Sequence, residues 1–332
     1  MKRHIGAVLA FIFIVLNAPG AAAAPYYQGK VITIVVGFGP GGGYDRMARI
    51  MAKHLPNYIP GKPTILVQNM PGASSMLAAN YVYNLAKPDG LTIGTFNRGV
   101  VFAQLLKAEG GKFDMTKFAW IGSAAVEASV IAIRNDLPYK TFDDLKKVKE
   151  PIPFATMGPG SSDHQHIALL KEFTGLNARL IVYPSSPDAA LAVERKEADG
   201  RAGSYSSIKP FIDRGMVRPL IRGRISELGI EYLPVDEDIS VDKKGKTLMA
   251  MRSAPDTMGR PYVAPPGTPE AVMNVLRDAF AKVAKDPATL EDGRKNMMSV
   301  QYVPAHEVQK VLQYLLNQPL DIVNEFSKYV KF

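Results

Sequence analysis

The feature that most constrains this chain is a long pattern that it carries twice. Residues 31–36 are apolar and β-branched and read as a strand. GFGPGGGYD (37–45) follows as a glycine-rich turn, and 46–55 place Met47, Ile50, Met51 and Leu55 at helical spacing. A second strand at 64–67, the turn NMPGASS (69–75), a helix at 76–86 and a third strand at 91–95 complete the first copy. The second copy opens with a strand at 152–156, the turn MGPGSSD (157–163) and a helix at 164–173. It continues with a strand at 179–183, the turn PSSPD (184–188), a helix at 189–196 and a strand at 201–204. Pro40 and Pro159 stand 119 positions apart, and Pro71 and Pro184 stand 113 apart.

Strands alternating with helices predict parallel α/β sheets. Two such copies predict a two-lobed α/β chain, each lobe a mostly parallel sheet flanked by helices. Ligands of open α/β sheets sit at the carboxyl ends of the strands, where the glycine turns fall, so two facing lobes share one cleft. Residues 120–134 are apolar and extended and suit a passage from one lobe to the other. Residues 225–260 are polar and poorly periodic, and Lys243, Lys244 and Lys246 within them read as a solvated loop. Thr268 and Pro269 start a helix whose stripe is Val272, Leu276, Ala279 and Val283. Residues 308–326 form a last amphipathic region, expected to pack back on the first lobe. The division expected is 24–125 plus 255–332 for lobe one and 126–254 for lobe two.

The start of the chain sets the compartment. Lys2 and Arg3 precede an apolar run at 5–16 and small residues at 18–24, the layout of a secretory signal peptide. That run is shorter than the roughly 20 residues of a membrane span. Cleavage after Ala23 makes 1–23 the signal and places the protein in the periplasm. Cysteine is absent, which excludes disulfides, thiolate metal sites and a cysteine nucleophile. The formal charge is +9, or +7 without Lys2 and Arg3, and the basic residues are scattered. This gives a weak bias towards anionic ligands and no nucleic-acid patch.

A helix start offers unpaired N–H groups and the positive end of a dipole, and glycines let that backbone approach an anion. Gly42, Gly43 and Tyr44, with Asp45 as a cap, supply one such start. Ser161 and Ser162 supply another on the second lobe, and Ala73 and Ser74 a third. Asn97 and Arg98 follow the third strand, and Ser204 and Tyr205 follow its counterpart. Each turn alone is an ordinary structural corner; their convergence carries the reading.

Other chemistries find less support. Gly37, Gly39 and Gly42 match a dinucleotide fingerprint, but the second strand ends Gln68-Asn69 where an acid is needed. There is no P-loop and no G-x-S-x-G. His164 and His166 are two apart and diverge on a helix, so no metal site is expected. Ser161 or Ser162 beside His164 leaves a secreted hydrolase as an alternative. No cofactor is expected.

Taken in order, GFGPGGGYDRMAR, VQNMPGASSMLAANY, KPDGLTIGT, MGPGSSDHQH, VYPSSPDAALA and YVAPPGTPEAV resemble the substrate-binding proteins of tripartite tricarboxylate transporters, the Bug family. The resemblance implies a periplasmic-binding-protein type II fold and a monomer that is not an enzyme. It implies capture of a small organic carboxylate and its delivery to a membrane transporter of one large and one small integral subunit. By motif, it assigns the ligand to Gly42, Gly43, Tyr44, Ala73, Ser74, Asn97, Ser161 and Ser162, through amides and hydroxyls rather than a salt bridge. Many members carry an Asp where this chain has Gly203-Ser204-Tyr205, and Tyr-Lys-Gly where it has Tyr183-Pro184-Ser185, so the choice of carboxylate does not carry over. The alternative reading is the same fold acting as the ligand-binding partner of a sensor kinase.

Overall fold

In the computed structural model, which describes residues 24–240 and 242–332, the two sequence copies build two separate sheets. The expected signal segment 1–23 lies outside the described residues. The strands are β1 (Val31–Val36), β2 (Thr64–Asn69), β3 (Thr92–Thr95), β4 (Ala119–Ser123), β5 (Ser129–Arg134) and β6 (Ile152–Thr156). They continue with β7 (Ala178–Val182), β8 (Gly200–Ser204), β9 (Val217–Arg222), β10 (Pro261–Ala264) and β11 (Val303–Pro304). One sheet runs β11-β4-β10-β3-β1-β2 and the other β7-β6-β8-β5-β9.

The two sheets share a plan. In each, the first strand of the copy lies between the second and third and runs parallel to both. Val36 is in register with Asn69 and with Thr95, and Thr156 with Val182. The carboxyl ends are therefore flush, and the turns that follow them emerge along one edge of each lobe. Across each sheet most strands run one way, β1–β4 in the first and β6–β9 in the second, with antiparallel strands set among them. β10 inserts antiparallel between β3 and β4, and β5 inserts antiparallel between β8 and β9. The physical reason is the route of the chain. A strand arriving from the other lobe has no helical crossover to reverse it, and parallel pairing needs one.

The two passages between the lobes run side by side. The Ala124 N–H donates to Arg260 O at 3.2 Å and the Glu127 N–H to Asp256 O at 3.1 Å. Gly259 has φ +51°, and a Cβ there would stand 1.8 Å from Ala125 O, so the crossing admits only glycine.

Helix Gly43–His54 buries Met47, Ala48, Ile50 and Met51, the stripe seen in the sequence. Helix Glu270–Val283 buries Met273, Leu276, Ala279, Phe280 and Val283. Helix Leu320–Tyr329 departs from expectation by touching both lobes: Phe326 lies 5.0 Å from Phe102 and Tyr329 lies 5.1 Å from Phe173, ring centre to ring centre. The region 225–260 also departs. Asp242 caps helix Lys243–Ser253 through the Gly245 N–H, so the three lysines sit exposed at a helix start rather than in a loop. That helix buries Leu248, Met249 and Met251 but also Arg252, which breaks the apolar period a sequence reading depends on.

Candidate functional site

Each glycine turn is braced by the acid that ends it. Asp45 accepts the Gly41 N–H at 2.9 Å, Arg49 Nε at 3.0 Å and Asn69 Nδ2 at 3.0 Å. Burial opposes its ionisation, but these donors prevail and hold its carboxyl below the usual range. Asp45 is thus not a cap; it is the third residue of its helix and closes the turn behind it. Asn69, which stands where a dinucleotide site needs an acid, also ties Phe38 O through Nδ2 at 2.9 Å. On lobe two, Asp163 accepts the Met157 N–H at 2.9 Å in the same manner. It is deeply buried, and burial pushes its carboxyl up. The helices starting at Gly43 and Ser162 then present their first N–H groups forward, without intrahelical partners.

The third turn is more unusual. Ala73, Ser74 and Ser75 have φ of +44°, +53° and +82°, a left-handed run of three non-glycine residues after Gly72. Ser75 fixes it: its Oγ donates to Gly37 O at 2.9 Å and accepts the Asn97 N–H at 3.1 Å. The ends of β1 and β3 are thereby pinned to the turn between them.

The two edges meet. Asn97 Nδ2 donates to Gly160 O at 3.1 Å, and Arg46 Nη2 donates to Ser206 O at 3.2 Å. A Cβ on Gly160 would stand 2.6 Å from Ser74 Oγ. Between the edges lies a cavity of about 200 Å³. Of the residues singled out in the sequence, Gly42, Gly43, Tyr44, Ala73, Ser74, Asn97 and Arg98 line it from lobe one. Ser161, Ser162 and Ser204 line it from lobe two. Tyr205 does not. Its ring is buried among lobe-two apolar side chains and its hydroxyl reaches Leu228 O at 3.4 Å, because the helix begins at this residue and turns it away from the edge.

Lining the cavity is not the same as facing it with a free group. The Tyr44 hydroxyl accepts the Arg98 N–H at 2.8 Å, and its ring stacks on Phe38 at 4.7 Å. The Arg98 guanidinium is buried against Asp256 at 2.7 Å, and that carboxylate overrides burial to hold it firmly protonated. It is neither a surface arginine nor a free cation. Ser161 Oγ donates to Gly158 O at 2.5 Å. The helix starts at Gly43 and Ser162 and the hydroxyl-bearing Ser74 and Ser162 remain along the cavity wall.

Sequence reasoning missed two arginines. Arg260 lines the cavity with its guanidinium 4.9 Å from the Tyr44 ring centre and its Nε 2.8 Å from Glu127. It also donates to Ser206 Oγ at 2.9 Å. Arg201, second in β8, lines the cavity from lobe two and is 3% exposed. For Arg201, a charged residue inside a short strand was the available signal.

The serine–histidine pairing is not formed. His164 Nδ1 lies 3.0 Å from Thr156 Oγ1 rather than on Ser161 or Ser162. His166 is buried with Nε2 2.9 Å from Asp236. No group of three or more His, Asp or Glu stands together as for a metal ion among the described residues.

Comparison with known proteins places this geometry. Residues 47–327 match the model of the tripartite tricarboxylate transporter family receptor. A UPF0065 protein of Bordetella pertussis is 26% identical over 320 residues, 94% of each chain. The periplasmic binding protein BugD superposes with a TM-score of 0.73 at 23% identity, covering 92% of this chain and all of its own. Rpa4515 of R. palustris, solved with adipate, gives 0.73 at 19% identity, covering 91% of this chain and 99% of its own. The match to the family model spans most of the sequence, and the chain belongs to the tripartite tricarboxylate transporter receptor family.

Proposed function

We propose that this chain is an exported solute-binding protein that closes on a small organic carboxylate and delivers it to a membrane transporter of one large and one small subunit. The lobes in this reading are 24–125 plus 255–332 and 126–254, residues 1–23 are removed on export, and the protein works in the periplasm as a monomer. The observation that carries it is the wall of the cavity. Helix-start N–H groups at Gly43 and Tyr44, the left-handed turn at Ala73 and Ser74, and the helix start at Ser162 line one cavity. Such donors suit a carboxylate and are pre-set before it arrives. The adipate in Rpa4515 supports the same ligand class. The absence of a hydrogen bond from His164 to either serine favours binding over hydrolysis. The fold neighbours supply no separate support for a sensor partner.

The test is a thermal-shift screen of the mature protein against mono-, di- and tricarboxylates. A carboxylate at 100 times its Kd should stabilise by about 2.7 kcal/mol. Stabilisation by sugars or cations, with no carboxylate giving any, would overturn the ligand class.

A further inference from the structure

Three arginines line the cavity, Arg98, Arg201 and Arg260, and among the described residues Arg201 alone has no carboxylate within 4.0 Å. Arg201 is 3% exposed, and its guanidinium lies along β8 over Gly203, with Nη2 3.5 Å from where a Cβ on that glycine would be. This points the head group to the carboxyl end of the strand, where Gly203 also lines the cavity. Ser186, the first residue of its helix, holds it there: Nη1 donates to Ser186 O at 3.2 Å and Nη2 to Ser186 Oγ at 3.0 Å. A guanidinium has five N–H donors, so most remain unused, and among the described residues Nε is buried with no partner.

Among the described residues no acid lies within 4.0 Å of Arg201, whereas Arg98 and Arg260 each have one at contact distance. The acid that acts on it from further off is Asp163, which spends one oxygen on the Met157 N–H. Asp163 is itself buried, and burial lifts its carboxyl towards the neutral form. A buried arginine without a counter-charge at contact distance is unfavourable. An anion entering the cavity would remove that cost.

The rest of the wall completes the picture. Donors of lobe one and the helix start at Ser162 are neutral and suit one carboxylate, while Arg201 brings a full charge from lobe two. Phe38, Met157, Pro71 and Pro184 give apolar wall within the same space.

We infer that Arg201 is a specificity-determining residue that binds a second anionic group, so that the solute is a diacid with a short apolar spacer, one carboxylate on the neutral donors and the other on this guanidinium. The inference rests on the carboxylate-binding reading above. It adds a salt bridge where the resemblance implied only amides and hydroxyls. A guanidinium held by a serine is also more selective than a flexible ammonium.

Calorimetric titrations with α,ω-diacids of four to eight carbons, and with the monomethyl ester of each, test it on the wild-type chain and on Arg201→Met and Arg201→Lys. The wild type should bind its best diacid at least tenfold more tightly than the monoester. Arg201→Met should lose at least 30-fold for the diacid and less than threefold for the monoester, and Arg201→Lys should recover part of the difference. Should Arg201→Met fail to fold, the double variant Arg201→Met/Asp163→Asn removes both buried charges and must show the same loss of preference. Equal wild-type affinity for diacid and monoester, or an unchanged diacid affinity in the variants, overturns this inference alone and makes Arg201 a distant partner of Asp163. A wild type that binds neither overturns the carboxylate reading and this inference with it.

Discussion

At the scale of single residues, the turn Ala73–Ser75 shows how much a backbone conformation can cost. A left-handed residue with a Cβ is unfavourable by roughly 1–2 kcal/mol, and three stand in a row. Strain of this kind persists where surrounding contacts over-determine it. Ser75 supplies those contacts, fully buried, with one hydroxyl serving Gly37 O and the Asn97 N–H. Ser75→Ala is expected to lose about 1–3 kcal/mol in denaturant unfolding, since it orphans both groups. Ser75→Gly should lose less, because glycine relieves the strain at φ +82° while forfeiting the same hydroxyl. An alanine variant as stable as the wild type would show that the hydroxyl does not hold the turn. Glycines and serines were legible in the sequence because their roles are local to the turn that contains them. Arginines were not. Arg98 finds Asp256 at a separation of 158 positions, so nothing near it in the chain reveals that its charge is already taken.

At the scale of elements, the copies β1–β3 and β6–β8 were readable because each is a local strand–helix–strand pattern. The inserted strands β5 and β10 were not readable as antiparallel, since their neighbours come from far along the chain. The loop after β9 illustrates another hidden pairing. Glu227 accepts the Ala128 N–H at 2.8 Å just as the chain enters lobe two. Burial, reinforced by the negative charge of Glu127, pushes its carboxyl up to about 7. The folded chain therefore favours the protonated acid, whereas the unfolded chain titrates near 4.5. Its contribution to stability is complete below about pH 4.5 and is lost as pH rises through about 7. Glu227→Gln stays neutral and keeps an oxygen for the Ala128 N–H. Its melting temperature relative to wild type should rise between pH 5 and pH 8. Parallel curves for the two proteins across that interval would refute the burial of this charge.

At the scale of the whole molecule, a chain of buried charges runs from the cavity wall into lobe two. Arg98, behind the end of β3, meets Asp256 at 2.7 Å; Arg252 Nη1 stands 3.5 Å from the same carboxylate; Arg252 Nη2 meets Asp236 at 3.0 Å. Asp236 then contacts His166 Nε2 at 2.9 Å, on the helix whose start lines the cavity. Burial, with the positive charge of Arg252 nearby, lowers the pKa of His166. Ser129, at the start of β5, donates to Asp256 at 2.7 Å and accepts from Arg252 at 3.1 Å. Asp256 is thus the node that joins the returning passage, the arriving strand and the cavity wall. Replacing a buried ion pair whole can be neutral, but removing one partner strands the other. Asp256→Asn keeps the shape and leaves Arg98 and Arg252 one charge short. We expect it to lower the unfolding free energy by about 3–5 kcal/mol. The double variant Asp256→Asn/Arg98→Met should recover part of that loss, because one of the stranded cations is gone, and the pair should be non-additive in a mutant cycle. A loss under about 1 kcal/mol for Asp256→Asn, or strict additivity, would mean that water reaches these charges and that the two lobes are held together by apolar packing alone.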